Sequence, residues 1–98
     1  MKRDEALRIL AVHRDEFVTM GVRELAIFGS VARDEASDGS DVDVLVDYEP
    51  GTRRSYFRLF DLQERLEELL GAKVDLVTMG GLRNELRDGI LAEAIYAA

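Results

Sequence analysis

The sequence predicts an α+β protein: a small mixed β-sheet with helices packed mainly on one face. Three observations carry that expectation. Two long segments, Lys2 to Met20 and Ser55 to Leu70, repeat apolar residues at helical spacing. Three short apolar segments, Leu25 to Phe28, Asp41 to Tyr48 and Val74 to Val77, have the length of strands. Helix and strand signals also alternate along the chain, in the order α-β-turn-β-α-β-α. At 98 residues there is room for one modest core, so a single domain over residues 1–98 is expected.

In the first helix, Ala6, Leu7, Leu10, Phe17 and Val18 fall near one face, and Gly21 is a natural stop. Leu25-Ala26-Ile27-Phe28 is a continuous apolar run ending at Gly29, as a buried strand does. Gly29-Ser30 turns the chain, and Val31-Ala32-Arg33 suits one helical turn. Asp34 to Ser40 is polar and contains glycine, so it reads as a loop. Asp41 to Tyr48 alternates: Val42, Val44 and Val46 on one face, Asp41, Asp43, Leu45 and Asp47 on the other. After the turn Glu49-Pro50-Gly51-Thr52, the second helix carries a stripe of Leu59, Leu62, Leu66, Leu69 and Leu70, and Gly71 ends it. Val74 to Val77 is a third strand, Gly80-Gly81 breaks the chain, and Leu82 to about Ala92 is helical. The tail Ala94-Ile95-Tyr96 either ends that helix or adds a short strand.

Composition narrows the function classes. Apolar residues make up 47% and charged residues 34%, a globular balance. There are no cysteines, which excludes disulfides and thiolate metal sites. No apolar run approaches the roughly 20 residues that span a bilayer, and the N-terminus lacks a signal-peptide core. A soluble cytoplasmic protein without membrane partners is the expectation. The formal charge of −7 argues against extended nucleic-acid binding, which needs a basic face. A clustered acidic site is different: it recruits a divalent cation, and the cation recruits a phosphate.

Asp41 and Asp43 are two apart on a strand, so they point the same way with Cα atoms about 7 Å apart. Carboxylates so placed can converge on one cation or bridge two. Hard oxygen donors select Mg²⁺ or Mn²⁺. Asp and Glu are 20 of 98 residues, so the pair alone also fits a solvated strand face. Aspartate is disfavoured in strands, however, and this pair opens an otherwise apolar one. Gly29-Ser30 adds a place where backbone can approach a phosphate closely, with a following helical turn and a hydroxyl. By itself it also fits an ordinary turn with Ser30 as a helix cap. Asp75, inside a short apolar strand, joins the pair if that strand lies beside Asp41–Tyr48. A third carboxylate there ligates a metal or takes a proton from an attacking hydroxyl.

Together these pieces resemble the DNA polymerase beta-like nucleotidyltransferase superfamily. Its pattern is Gly-Ser, a spacer of about ten residues, Asp-x-Asp and a later strand-borne acid. Here it reads Gly29-Ser30, Val31 to Ser40, Asp41-Val42-Asp43 and Asp75. The stretch Leu25 to Gly51, VDLVT at Val74 to Thr78 and ILAEAIY at Ile90 to Tyr96 are similar to the minimal nucleotidyltransferase (MNT) antitoxin subgroup. The resemblance implies the polymerase beta-like nucleotidyltransferase fold. It implies that Gly29 and Ser30 hold a nucleotide's phosphates and that Asp41 and Asp43 ligate two Mg²⁺ ions. Asp75 completes the metal site and helps deprotonate the attacking hydroxyl. The implied reaction is in-line attack on the α-phosphate of ATP. In that subgroup the small enzyme moves AMP onto a tyrosine of a partner HEPN-domain toxin and silences it, so ATP and such a toxin are the implied partners.

Other residues have weaker claims. Arg33, three past Ser30, either steadies the triphosphate or sits on the surface beside Asp34 and Glu35. Arg53-Arg54 either meet phosphate or a partner, or form a solvated loop. Asp47 lies up to about 20 Å from Asp41 along the strand and reads as structural. Ser40 is a candidate support for the acidic strand. His13 reads as a surface histidine, and Glu64, Glu67 and Glu68 as a solvated face. Besides the adenylylating antitoxin, a non-enzymatic antitoxin that neutralises by binding and a small-molecule nucleotidyltransferase stay open. The −7 charge and the short chain disfavour a polymerase fragment.

Overall fold

Period-two alternation decides which side of a sheet each strand residue faces, and helices then choose the greasier side. In the computed structural model, four strands order as β3-β2-β1-β4. They are β1 (Val22–Phe28), β2 (Val42–Tyr48), β3 (Val74–Thr78) and β4 (Ile95–Tyr96). β1 runs antiparallel to β2 and β4, whereas β3 runs parallel to β2, so the sheet is mixed. The helices are α1 (Arg3–Val12), α2 (Arg14–Thr19), α3 (Gly29–Ala32), α4 (Tyr56–Leu70) and α5 (Asn84–Glu93). The structure describes residues 1–37, 39–53 and 55–97. Asp38 of the predicted loop and Arg54 of the Arg53-Arg54 pair lie outside them.

Val42, Val44 and Val46 face the main core with Leu25 and Ile27. Ala6 and Leu10 of α1, Phe17 of α2, and Leu62, Leu66 and Leu70 of α4 close over them. The other face carries a smaller cluster of Ala26, Phe28 and Leu45, against which Ile90 and Leu91 of α5 and Ala94 pack. Helices therefore lie mainly on one face, as expected, with α5 across the other. No polar or charged residue is buried among the described residues. None of their helices is long and apolar enough to cross a membrane.

Local signals place α4 and β3. Ser55 Oγ accepts the Arg58 N–H at 3.2 Å and caps α4. Gly71 closes it in the left-handed region, φ 66°. From the same helix, Gln63 Nε2 donates to the Val74 carbonyl and Glu67 Oε2 accepts the Val74 N–H, both at 3.0 Å. Together these hold the start of β3. Arg65 meets Glu16 of α2 through two hydrogen bonds of 2.5 and 2.9 Å.

Four sequence expectations need correction. Lys2 to Met20 is two helices that break at His13, not one. Val18 is exposed, while its neighbour Phe17 is the residue of α2 that is buried. Glu67 is not simply solvated: it supplies the missing partner of a strand-end N–H. Asp41 precedes β2 rather than opening it. The tail question resolves as a strand, with Ile95 beside Ile27 and Tyr96 beside Ala26.

Candidate active site

The cross-strand register builds the acidic row. Phe28 of β1, Asp43 of β2 and Asp75 of β3 lie side by side. Neighbouring strands are about 4.8 Å apart, so the two aspartates share one face at that spacing. Asp41 stands two residues before Asp43, just ahead of β2, and its charge acts on Asp43. The face shared by Asp43 and Asp75 is the α5 face, and α5 covers Leu45 but stops short of the aspartates. Asp41 and Asp75 are exposed and Asp43 is half-buried. Burial pushes the Asp43 carboxyl above the usual aspartate range, and the charges of Asp75, Asp41 and Glu93 push the same way, against Arg33. Asp41, Asp43 and Asp75 are thus brought to one place. Among the described residues, though, no three acidic or histidine side chains are gathered closely enough to hold a metal ion. Register sets Asp43 beside Asp75.

Gly29 sits against Asp43. Its φ is +72°, and an ideal Cβ on it would lie 2.1 Å from Asp43 Oδ2. Glycine is required here by the neighbouring carboxylate and by the backbone angle, apart from any phosphate. α3 begins at Gly29, so Ser30 lies inside its first turn and is not the cap. The residue at the cap position, Phe28, offers no side-chain acceptor. An acceptor comes instead from the far end of the chain: Gly29 N–H donates to Glu93 Oε1 at 3.0 Å.

Arg33 ends α3 and folds back over it. Its Nη1 donates to Glu93 Oε2 at 2.9 Å and its Nε to Glu35 Oε2 at 3.1 Å. It is therefore both beside the glycine turn and paired with its surface neighbour. The Gly29 N–H, first, and Arg33 hold the Glu93 carboxyl below the usual range. Glu93 was not among the sequence candidates. It lies inside the ILAEAIY segment, but nothing local separates it from other helix-surface acids, and its partner Gly29 is 64 residues away.

The remaining candidates fall elsewhere. Ser40 Oγ accepts the Ser37 N–H at 3.1 Å and braces the loop that leads to Asp41. Asp47 pairs with Arg23, a structural contact as expected. Arg53 is exposed, and His13 marks the break between α1 and α2. An apolar cavity of about 340 Å³, lined by Tyr48, Tyr56, Leu59 and Thr78, lies at the opposite ends of β2 and β3. It shares no residue with the acidic row.

Asp43 and Asp75 stand side by side, next to a glycine turn and an arginine that share Glu93. Comparison with known proteins places the chain in a family. Residues 10–97 match the nucleotidyltransferase domain. Protein adenylyltransferase MntA of Thermococcus cleftensis is 42% identical over 94 residues, covering 95% of this chain and 93% of its own. A solved structure assigned as a minimal nucleotidyltransferase is 36% identical with a TM-score of 0.75, covering 97% of this chain and 95% of that one. A solved complex of a tri-AMPylated Shewanella oneidensis HEPN toxin with an MNT antitoxin has a TM-score of 0.60 at 15% identity, covering 89% and 70%. At that identity the likeness is one of fold. Matched over nearly its whole length, the chain belongs to the nucleotidyltransferase domain family, in its minimal branch, and is a nucleotidyltransferase.

Proposed function

We propose that this protein transfers AMP from ATP to a hydroxyl of a partner HEPN-type toxin, with tyrosine as the acceptor, and so acts as the antitoxin of the pair. The observation that carries the reading is the Asp43–Asp75 row, with Asp41 beside it and Gly29 in contact with Asp43. The relative named as an adenylyltransferase and the complex containing an AMPylated toxin support the donor and the acceptor class. Tyr56, Phe57 and Phe60 expose a cluster of aromatic side chains on α4, which suits a protein that works against another protein.

Asp41, Asp43 and Asp75 fit Mg²⁺, two ions or Mn²⁺ in their place, in donor chemistry, and at Asp43 the acidic neighbours outnumber the single opposing charge of Arg33. Bound there, the metal neutralises charge on the reacting phosphate and on the attacking oxygen. Gly29 and Ser30 receive the phosphates, and Arg33 steadies them. Asp75 takes the proton from the acceptor hydroxyl. The oxygen of the acceptor hydroxyl then bonds the α-phosphorus, the bond from that phosphorus to the bridging oxygen breaks, and pyrophosphate leaves.

The test is to incubate the protein with ATP, Mg²⁺ and the HEPN-domain protein encoded beside it, then weigh that protein. The expected result is an AMP-sized mass gain on a tyrosine, absent with Asp41→Ala or Asp43→Ala. Neutralisation of the toxin without any mass gain would overturn the enzymatic reading in favour of an antitoxin that acts by binding alone.

A further inference from the structure

We propose that Glu93 is a positioning residue for nucleotidyl transfer, one side chain that sets both the Gly29 peptide and the Arg33 guanidinium. Its two carboxylate oxygens are divided between them, Oε1 on Gly29 N–H at 3.0 Å and Oε2 on Arg33 Nη1 at 2.9 Å. The proposal rests on the reading that Gly29, Ser30 and Arg33 receive the nucleotide's phosphates.

The backbone around Glu93 is anchored on both sides. Leu91 and Ala94 pack on the Ala26–Phe28–Leu45 cluster. Ile95, two residues on, pairs with Ile27 of β1 and packs on the main core. The carboxylate is therefore delivered to a set place, and about a third of the side chain remains exposed. Its location is electrostatically unfavourable in one respect, because its charge opposes that of Asp43. A fourth acid at an acidic site needs offsetting contacts, and Gly29 N–H and Arg33 are those contacts.

Glu35 shows why this is more than an ordinary surface ion pair. Glu35 also binds Arg33, from two residues away and largely exposed, and its backbone N–H donates to the Ser30 carbonyl at 2.8 Å, but its carboxylate hydrogen-bonds only Arg33. Glu93 links that arginine to the peptide that enters α3. Fixing the Gly29 N–H direction fixes the start of α3 and with it Ser30. Holding Nη1 keeps Arg33 folded back toward the turn. Both effects prepare a phosphate-binding geometry before the nucleotide arrives, which lowers the ordering cost of binding.

The experiment compares wild type with Glu93→Gln, Glu93→Ala, Arg33→Ala and Glu93→Ala/Arg33→Ala. Readouts are KM and kcat for ATP, binding of a non-hydrolysable ATP analogue with Mg²⁺, the melting temperature, and NMR signals of the Gly29 amide and Arg33 Nε without nucleotide. Glu93→Gln keeps an acceptor for Gly29 N–H but cannot pair ionically with Arg33. We expect it to raise KM about 3-fold and Glu93→Ala to raise it about 10-fold, the loss of a charge-assisted hydrogen bond. kcat should change less than KM, and melting should barely move. Adding Arg33→Ala to Glu93→Ala should cost less than the two single effects combined. Unshifted Gly29 and Arg33 signals in Glu93→Ala would overturn the bridge itself. Tight analogue binding by wild type and equally tight binding by Glu93→Ala would overturn the positioning role while leaving the phosphate reading intact. Failure of wild type to bind the analogue would overturn both.

Discussion

The two faces of β2 are made by the same seven residues and end in opposite roles. On one face Val42, Val44 and Val46 are completely buried under α1, α2 and α4. On the other, Leu45 is buried beneath α5 while Asp43, two residues earlier, is only half-covered. Residues of α1, α2, α3 and α4 close the first face, and one helix, α5, covers part of the second. The site lies where that cover stops. The position gives Asp43 a desolvated, like-charged environment, which costs stability and is the setting expected of the proposed cation-binding group. Stability and chemistry are separated by a rotation of 180° per residue along a single strand.

A charge on the wrong face should break this division most severely. Val44→Asp puts an unpaired carboxylate into the main core and should cost more than about 3 kcal/mol, enough to abolish cooperative urea unfolding at neutral pH. The reverse change, Asp43→Asn, should retain the native circular dichroism. It should lower nucleotidyl transfer on the order of 10³-fold, since metal-held charge stabilisation supplies several kcal/mol to the transition state.

The same variant should gain stability in metal-free buffer, in a direction that pH reveals. The folded Asp43 carboxyl titrates above its unfolded value of 3.8. Its cost is absent below that value, grows as pH rises from there to the raised folded value, and is complete above it. Urea melts of Asp43→Asn and wild type should therefore agree near pH 3.5 and separate, with the variant more stable, at pH 7. A variant that is less stable at pH 7 would contradict the desolvation argument.

Gly29→Ala joins the two regions. Its Cβ meets Asp43 Oδ2 and its backbone must keep φ +72°. A loss of about 1–3 kcal/mol is expected, together with weaker nucleotide binding; full stability with lost binding would show that the glycine serves only the ligand. The smallest effect belongs to a contact remote from both faces. Arg65 holds the Glu16 carboxyl below its ordinary 4.5. That stabilisation is present above pH 4.5 and disappears as pH falls through the lowered folded value. Glu16→Gln should lower the melting temperature by a few degrees at pH 7 and converge with wild type in acid, as expected of a partly exposed ion pair.

What the sequence determined by itself was whatever repeats within a turn or a pleat. Ser55, the Leu62-Leu66-Leu70 spacing and Gly71 define α4 because cap, stripe and stop are local chemistry. The alternation in β2 puts Asp43 opposite the valines before any partner strand is known. Periodicity could not show that α1 and α2 separate at His13, nor that the tail would pair with β1, because both depend on what packs across from them. Only the tertiary structure decided which strands are neighbours, and therefore that Asp75 stands in the row of Asp43. It alone brought Glu93 to Gly29 and Arg33, and set α5 over Leu45 but not over the acids. Side-chain direction is a property of one residue's backbone, whereas convergence depends on contacts between residues far apart in the chain.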